Sequence, residues 1–304
     1  MKIAARWLVC GCLLWSFARA ADEVPVPEAK AKASDDDLRI RGVFDSALPQ
    51  TEKKSALRLI VHPHLGDVTK RDHLRMALGF RYGLTKKWEA TAEADAYFTH
   101  GLKQGSFFEE KGFSTLHLGT KYNLGDPFHL GWDTSLGLDW LRPLGQPPLD
   151  VTDGLRHLMP FISLSHQLKE HPAWRVFTNL RYDDVTRTAT LGLLSENELG
   201  DDSLGLSGGV LYVRGPLTYT LEAAYATTQL TSSVNRKAYS LKPGLVWVVP
   251  PKYTLGARGK WLLGVAVRFS EGPEGGDVGL SAKLRVNFDF KRLLGIKKET
   301  ASQP

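Results

Sequence analysis

The sequence has 304 residues and a formal net charge of +6, but a secretory leader is expected to account for half of that charge. Lys2 and Arg6 begin it, Trp7 to Phe17 give a short apolar core, and Ala18-Arg19-Ala20 offers a small-x-small cleavage pattern. Removal of residues 1–20 takes three cations and no acid, so the remaining chain carries +3, too weak a balance for a nucleic-acid partner. Cys10 and Cys12 leave with it, which excludes a disulfide framework and a thiolate metal site in residues 21–304.

Residues 21–54 are rich in Pro, Ala, Lys and Asp, with Asp35-Asp36-Asp37 in the middle, and are expected to form a flexible periplasmic arm. From Ser55 onward one pattern repeats: about ten residues alternate apolar and polar, a turn follows, and the alternation resumes. The second segment sets Leu74, Met76, Leu78, Phe80 and Tyr82 against His73, Arg75, Ala77, Gly79 and Arg81. The last sets Val278, Leu280, Ala282, Leu284, Val286, Phe288 and Phe290 against Gly279, Ser281, Lys283, Arg285, Asn287 and Asp289. Successive strand side chains point to opposite faces, so one face is oily and the other wet.

Twelve strands are predicted, near 55–64, 72–82, 88–99, 114–122, 129–141, 156–168, 174–183, 203–213, 217–228, 238–249, 258–270 and 277–290. Ten or fourteen remain compatible with the pattern, because 186–194 reads either as a strand extension or as part of another hairpin. Pro160 and Pro243 fall inside strands and remove ladder donors, which predicts bulges or rim positions. His166 and Arg156 lie on the oily parity and fit only near strand ends. Connections alternate between tight turns and longer polar loops, and an even strand count returns both termini to one side. The fold class is therefore all-β: a transmembrane antiparallel up-and-down barrel over residues 55–290, followed by a basic periplasmic tail, 291–304.

A soluble β-sandwich would also alternate. Against it, the aromatic residues of the oily parity gather near strand ends. Tyr82, Trp88, Tyr122, Trp132, Trp174, Tyr212, Tyr219, Trp247 and Trp261 fall at the tight-turn end, and Phe98, Trp140, Tyr182, Tyr225, Tyr239 and Phe269 at the other. Two girdles mark a band with two water interfaces.

The wet parity should line a lumen. Arg58, Arg75, Arg81, Lys242, Lys260, Arg268, Lys283 and Arg285 are expected to form a basic wall once the barrel closes. Glu89, Glu93, Asp95, Asp133 and Asp139 are expected to form an opposed acidic wall. Such walls create a transverse field that biases passage of small solutes. The same groups could instead pair across the lumen and plug a narrow barrel, leaving a structural or docking role. An outer-membrane phospholipase is a third possibility, but no histidine is followed two residues later by serine. No cofactor is expected. His62, His64 and His73 could crowd at one rim, and Glu196, Glu198, Asp201 and Asp202 make an acidic loop; neither set has a recognised ligand spacing, so no metal is expected. Gly272 to Gly279 has neither the lysine nor the strand-to-helix setting of a phosphate loop.

Across residues 55–290 the architecture resembles that of bacterial outer-membrane barrels. The turn Arg81-Tyr82-Gly83-Leu84-Thr85-Lys86-Lys87-Trp88-Glu89 is similar to the YGLT-x-x-(aromatic or Leu)-E turn of barrels grouped as MetA-pathway phenol-degradation proteins. Phe290 resembles the terminal aromatic of such barrels but lies inside the chain. The resemblance implies residence in a Gram-negative outer membrane and a non-enzymatic, transport-like role. Its implied partners are membrane lipid and lipopolysaccharide, the barrel-assembly machinery and a small-molecule solute.

Overall fold

The computed structural model describes residue 44 and residues 46–65, 73–99, 111–144, 154–186, 201–231, 235–254, 259–273 and 275–289. Residues 1–43, which include the expected leader, and residues 290–304 lie outside the described residues. The twelve strands are β1 (Ala56–Leu65), β2 (His73–Gly83), β3 (Trp88–Thr99), β4 (Lys111–Gly125), β5 (Trp132–Pro143), β6 (Arg156–Gln167), β7 (Trp174–Thr186), β8 (Ser203–Arg214), β9 (Leu217–Thr227), β10 (Lys237–Val249), β11 (Lys260–Gly272) and β12 (Gly275–Asp289). Each pairs antiparallel with its sequence neighbours, and β1 pairs with β12 from Ala56↔Asp289 to Leu65↔Leu280, closing the barrel.

The observed strands match the predicted set, with ends adjusted by a few residues; β7 runs on to Thr186, and the stretch 187–194 lies outside the described residues. Register follows from cost. Slipping β12 by one residue would turn Lys283 and Arg285 onto the oily face, where a basic side chain at mid-membrane costs about 2–4 kcal/mol. In the observed register Lys283 lies opposite Gly264 and Arg285 opposite Leu262, and both charged side chains are buried.

The expected bulges at the prolines do not occur, nor are these prolines at the rims. On the β6–β7 seam the pairing passes from Leu158↔Asp184 to Phe161↔Arg181, and both strands advance equally. The β10–β11 seam passes likewise from Leu241↔Phe269 to Gly244↔Ala266. Pro160 and Pro243 remain paired on their other sides, with Leu138 and Leu221. A ring without an N–H therefore drops rungs on one seam and leaves the register intact. The bulges lie elsewhere, at Asp95/Ala96 and Asn123/Gly125. The first inserts Ser114 as an extra residue, whose hydroxyl donates to the Asp95 carbonyl at 3.2 Å. Past it Phe113 joins the outward face, 57% exposed.

The outward parity is oily: Leu59, Phe80, Leu118, Leu136, Ile162, Leu180, Leu206, Val265 and Leu280 are all exposed. So continuous an apolar band is unsuited to water. The expected girdle residues pair along it. Trp88 lies opposite Tyr122 in register, and its indole N–H donates to Thr120 Oγ1 at 2.5 Å. Trp174, Tyr212 and Tyr219 follow one another on β7, β8 and β9, with ring centroids 4.8 and 6.1 Å apart. Trp247 meets Tyr253 at 5.8 Å, Trp261, the second residue of β11, lies opposite Val249, and Tyr82 lies opposite Leu57. Trp140, opposite Leu158, stands toward the other end. His166 and Arg156 do sit at the two ends of β6; His166 Nδ1 is 2.7 Å from the Gly131 carbonyl oxygen, and its ring is 5.2 Å from that of Trp132.

Candidate functional site: the barrel interior

Within the stretch 21–54 expected as a flexible periplasmic arm, the described Phe44 and residues 46–52 lie within the barrel, while Lys53 and Lys54 are exposed. Containment follows from the contacts, because one short stretch meets strands all round a closed ring. The Phe44 and Ser46 N–H groups donate to the two oxygens of Glu222 on β9, at 2.8 and 2.9 Å. Lys283 on β12 donates to the Phe44 carbonyl at 2.7 Å. Ser163 on β6 donates to the Ala47 carbonyl at 3.2 Å. Lys121 on β4 donates to the carbonyls of Leu48 and Gln50, at 2.7 and 2.9 Å. Gln50 Nε2 donates to Asp133 on β5 at 2.8 Å. The Glu52 N–H donates to Glu89 on β3 at 2.8 Å, and the Glu52 carboxylate takes the Arg58 guanidinium of β1 at 2.7 Å. Only a segment lying inside the tube can touch all of these, and the parity that touches it is the wet one.

The segment is also held by apolar packing. Phe44 and Leu48 are buried with Phe177, Leu211, Val246, Leu262 and Ala266, and Val248 lies against the group. Glycine makes this seat possible. A Cβ at Gly244 would lie 2.5 Å from Phe44 Cε2 and 2.8 Å from Thr220 Oγ1, and one at Gly264 would lie 3.0 Å from Phe44 Cζ. At the point of entry, a Cβ on Gly83 would fall 2.1 Å from the Lys53 carbonyl oxygen. The cluster is an apolar core inside a lumen whose wall is mostly polar, with Ile60 and Met159 as further buried apolar residues.

All thirteen charged residues expected on the wet parity lie on strands of the closed ring, and strand order places them in two arcs. Arg58, Arg75, Arg81, Lys242, Lys260, Arg268, Lys283 and Arg285 fall on the contiguous strands β10, β11, β12, β1 and β2, and Glu89, Glu93, Asp95, Asp133 and Asp139 on β3 and β5. The arcs therefore abut at the β2–β3 seam instead of standing opposed, and Arg81 lies 3.9 Å from Glu93 across it. Several acids are engaged. Glu89 pairs with Lys121 at 3.2 Å, Asp139 with His117 at 3.0 Å, and Asp133 accepts from Gln50.

Sequence reading missed Lys121, Arg175 and Glu222, each on the wet parity of its strand and each buried. Parity alone could have found them. The remaining arc, β6 to β9, mixes Arg175, Arg181, Asp183 and Glu222 with the neutral polar residues Ser163, Ser165, Asn179, Ser207, Thr218 and Thr220. Ser163 donates to the Asn179 side-chain oxygen. His62 and His64 share the wet face, ring centroids 5.4 Å apart, and no metal-holding cluster forms among the described residues. The side chain of His73, and residues 196 and 198, lie outside the described residues. Asp202 accepts from the Tyr182 hydroxyl and the Val185 N–H, at 3.0 and 2.9 Å. Of Gly272 to Gly279, Gly272 ends β11 and residues 275–279 already belong to β12, with Gly272 opposite Gly275.

No family model and no curated protein matches this sequence. Among solved structures the barrel is similar to an outer membrane channel from Pseudomonas putida F1, at 10% identity and a TM-score of 0.51, covering 79% of this chain and 97% of that one. It is also similar to the NanC porin, at 13% identity, a TM-score of 0.48 and coverage of 76% and 98%. For the KdgM porin in complex with disordered oligogalacturonate the figures are 9%, 0.42, 76% and 98%. At 10% identity the likeness to the Pseudomonas putida F1 channel establishes a shared fold, and the chain is a closed twelve-strand antiparallel barrel like that outer membrane channel.

Proposed function

We propose that this chain is a non-enzymatic outer-membrane channel for small solutes. Adjoining basic and acidic arcs bias which solutes cross, and residues 44–54 narrow the lumen at the tight-turn, periplasmic end. The observation that carries the reading is the inversion of polarity across the wall. The outside is an exposed apolar band edged by aromatics, while the inside carries buried Arg58, Lys121, Glu89, Glu222, Lys242, Lys283 and Arg285. Charges are tolerated at membrane depth where they face a wet cavity or one another. The likeness to the Pseudomonas putida F1 channel supports the same reading at the level of fold. The turn at residues 81–89 supports a kinship with the MetA-pathway phenol-degradation barrels, whose solutes would then be small aromatic compounds.

The buried arm favours a second reading, in which the barrel is plugged and serves a structural or docking role. Single-channel recording in planar bilayers separates the two. A channel gives discrete steps with the unmodified chain, and Glu93→Ala with Asp95→Ala shifts the reversal potential toward anions by removing charge from the acidic arc. Silence from the unmodified chain, with steps appearing only after deletion of residues 44–50, supports the plug. A reversal potential indifferent to both substitutions removes charge bias from the proposal.

A further inference from the structure

The long-loop end of the barrel carries two cations on the wrong side of the wall for conduction. Arg142 shares the outward parity of β5 with Leu136, Leu138 and Trp140, and Arg156 shares that of β6 with Leu158 and Ile162. Both arginines are exposed. The β5–β6 register ends with Trp140 opposite Leu158 and Leu141 opposite His157; continuing it by one residue sets Arg142 beside Arg156. Neighbouring strands place such side chains about 4.5–5.5 Å apart at Cβ. Among the described residues neither guanidinium makes a hydrogen bond or ion pair. Among the described residues, Asp184 on the outward parity of β7 lies opposite Leu158, one pair farther into the band, and no ion pair joins it to Arg156.

From these positions we infer that Arg142 and Arg156 form an external clamp for the phosphate of an outer-leaflet lipid, specifically a phosphomonoester such as lipid A carries. The inference rests on the outer-membrane reading above. A guanidinium offers a planar fork of donors that matches phosphate oxygens in pairs. Two forks on adjacent strands suit an anion of nearly two charges, which a phosphomonoester has near neutral pH and a phosphodiester lacks. The apolar surface continues directly below through Trp140, Leu158, Leu138 and Ile162, where acyl chains of the same lipid would lie. Head group and tail thus meet complementary surface along one pair of strands.

Native mass spectrometry of the full chain in detergent, titrated with diphosphoryl lipid A, phosphatidylglycerol or inorganic phosphate, tests the clamp. The unmodified chain should retain lipid A in preference to phosphatidylglycerol. Arg142→Gln with Arg156→Gln should weaken lipid A binding about thirtyfold, near fivefold for each cation at a membrane surface. Lys237→Gln, which removes an exposed cation from β10, should leave it within twofold. Unaltered lipid A affinity in the double variant overturns the inference, as does equal retention of phosphatidylglycerol. Inorganic phosphate binding as tightly as lipid A overturns the lipid assignment as well. If the chain fractionates with the outer membrane while the double variant binds normally, the clamp alone fails; if it does not fractionate there, the underlying reading fails.

Discussion

Phe44→Ala isolates what holds the arm in the barrel. The ring is 3% exposed and packs on Leu48, Phe177, Leu211, Val246, Leu262 and Ala266, and removing a buried Phe costs about 3–5 kcal/mol. The barrel wall is held by its own strand pairing, so the loss falls on docking of the arm. At about 1.4 kcal/mol per tenfold, the docked population relative to the undocked falls by a factor of about 150 to 4,000. Limited proteolysis of the folded barrel reads that ratio through cleavage within residues 44–54, with the heat-modifiable gel shift confirming that the barrel stays closed. Gly244→Ala should act the same way from the wall, since its Cβ would meet the Phe44 ring at 2.5 Å. Cleavage at the unmodified rate in both variants would refute the account of Phe44 as the anchor.

Breaking the Glu52–Arg58 pair, 2.7 Å long with side chains 2% and 1% exposed, should destabilise more than a surface ion pair does. Glu52→Gln leaves a buried guanidinium poorly compensated and is expected to cost about 3–5 kcal/mol, read as a lower urea midpoint of arm release. Val265→Arg places a cation on the outward face of β11, where the native side chain is 51% exposed; in lipid vesicles it should lower folding stability by about 2–4 kcal/mol, and an unchanged stability would mean that this face does not meet lipid. Lys121→Met removes the donor shared by Leu48 O, Gln50 O and Glu89; it should loosen the arm while leaving the strands paired, and equal protection of residues 46–50 from proteolysis would count against it.

The wall was legible because its determinant is local. A period of two over ten to fifteen residues needs no knowledge of the partner strand, and the cost of placing Lys283 or Arg285 against lipid fixes the register of β12. The arm was not legible because its determinants are distant. Phe44 meets Glu222 and Lys283 across separations of 178 and 239 residues, and most of its polar contacts are backbone groups, which leave no mark in the side-chain pattern. Phe44 and Leu48 were the available signal, two large apolar residues in a stretch otherwise suited to disorder. The prolines were misjudged for another reason: a missing N–H matters on one edge of a strand only, and sequence does not say which edge. The arcs of charge were read from parity, but their adjacency follows from counting strands around a closed ring, with β3 next to β2.

The strap precedes β1 in the chain yet fastens to β12, so the tube and its contents share an order of construction. Residues 44–54 must be lying along the growing sheet before the last strand meets the first, or be threaded through an open end afterwards. Drawing the strap in early would let Lys283 find the Phe44 carbonyl as β12 arrives, so that sealing the cylinder and stowing its cargo become a single event.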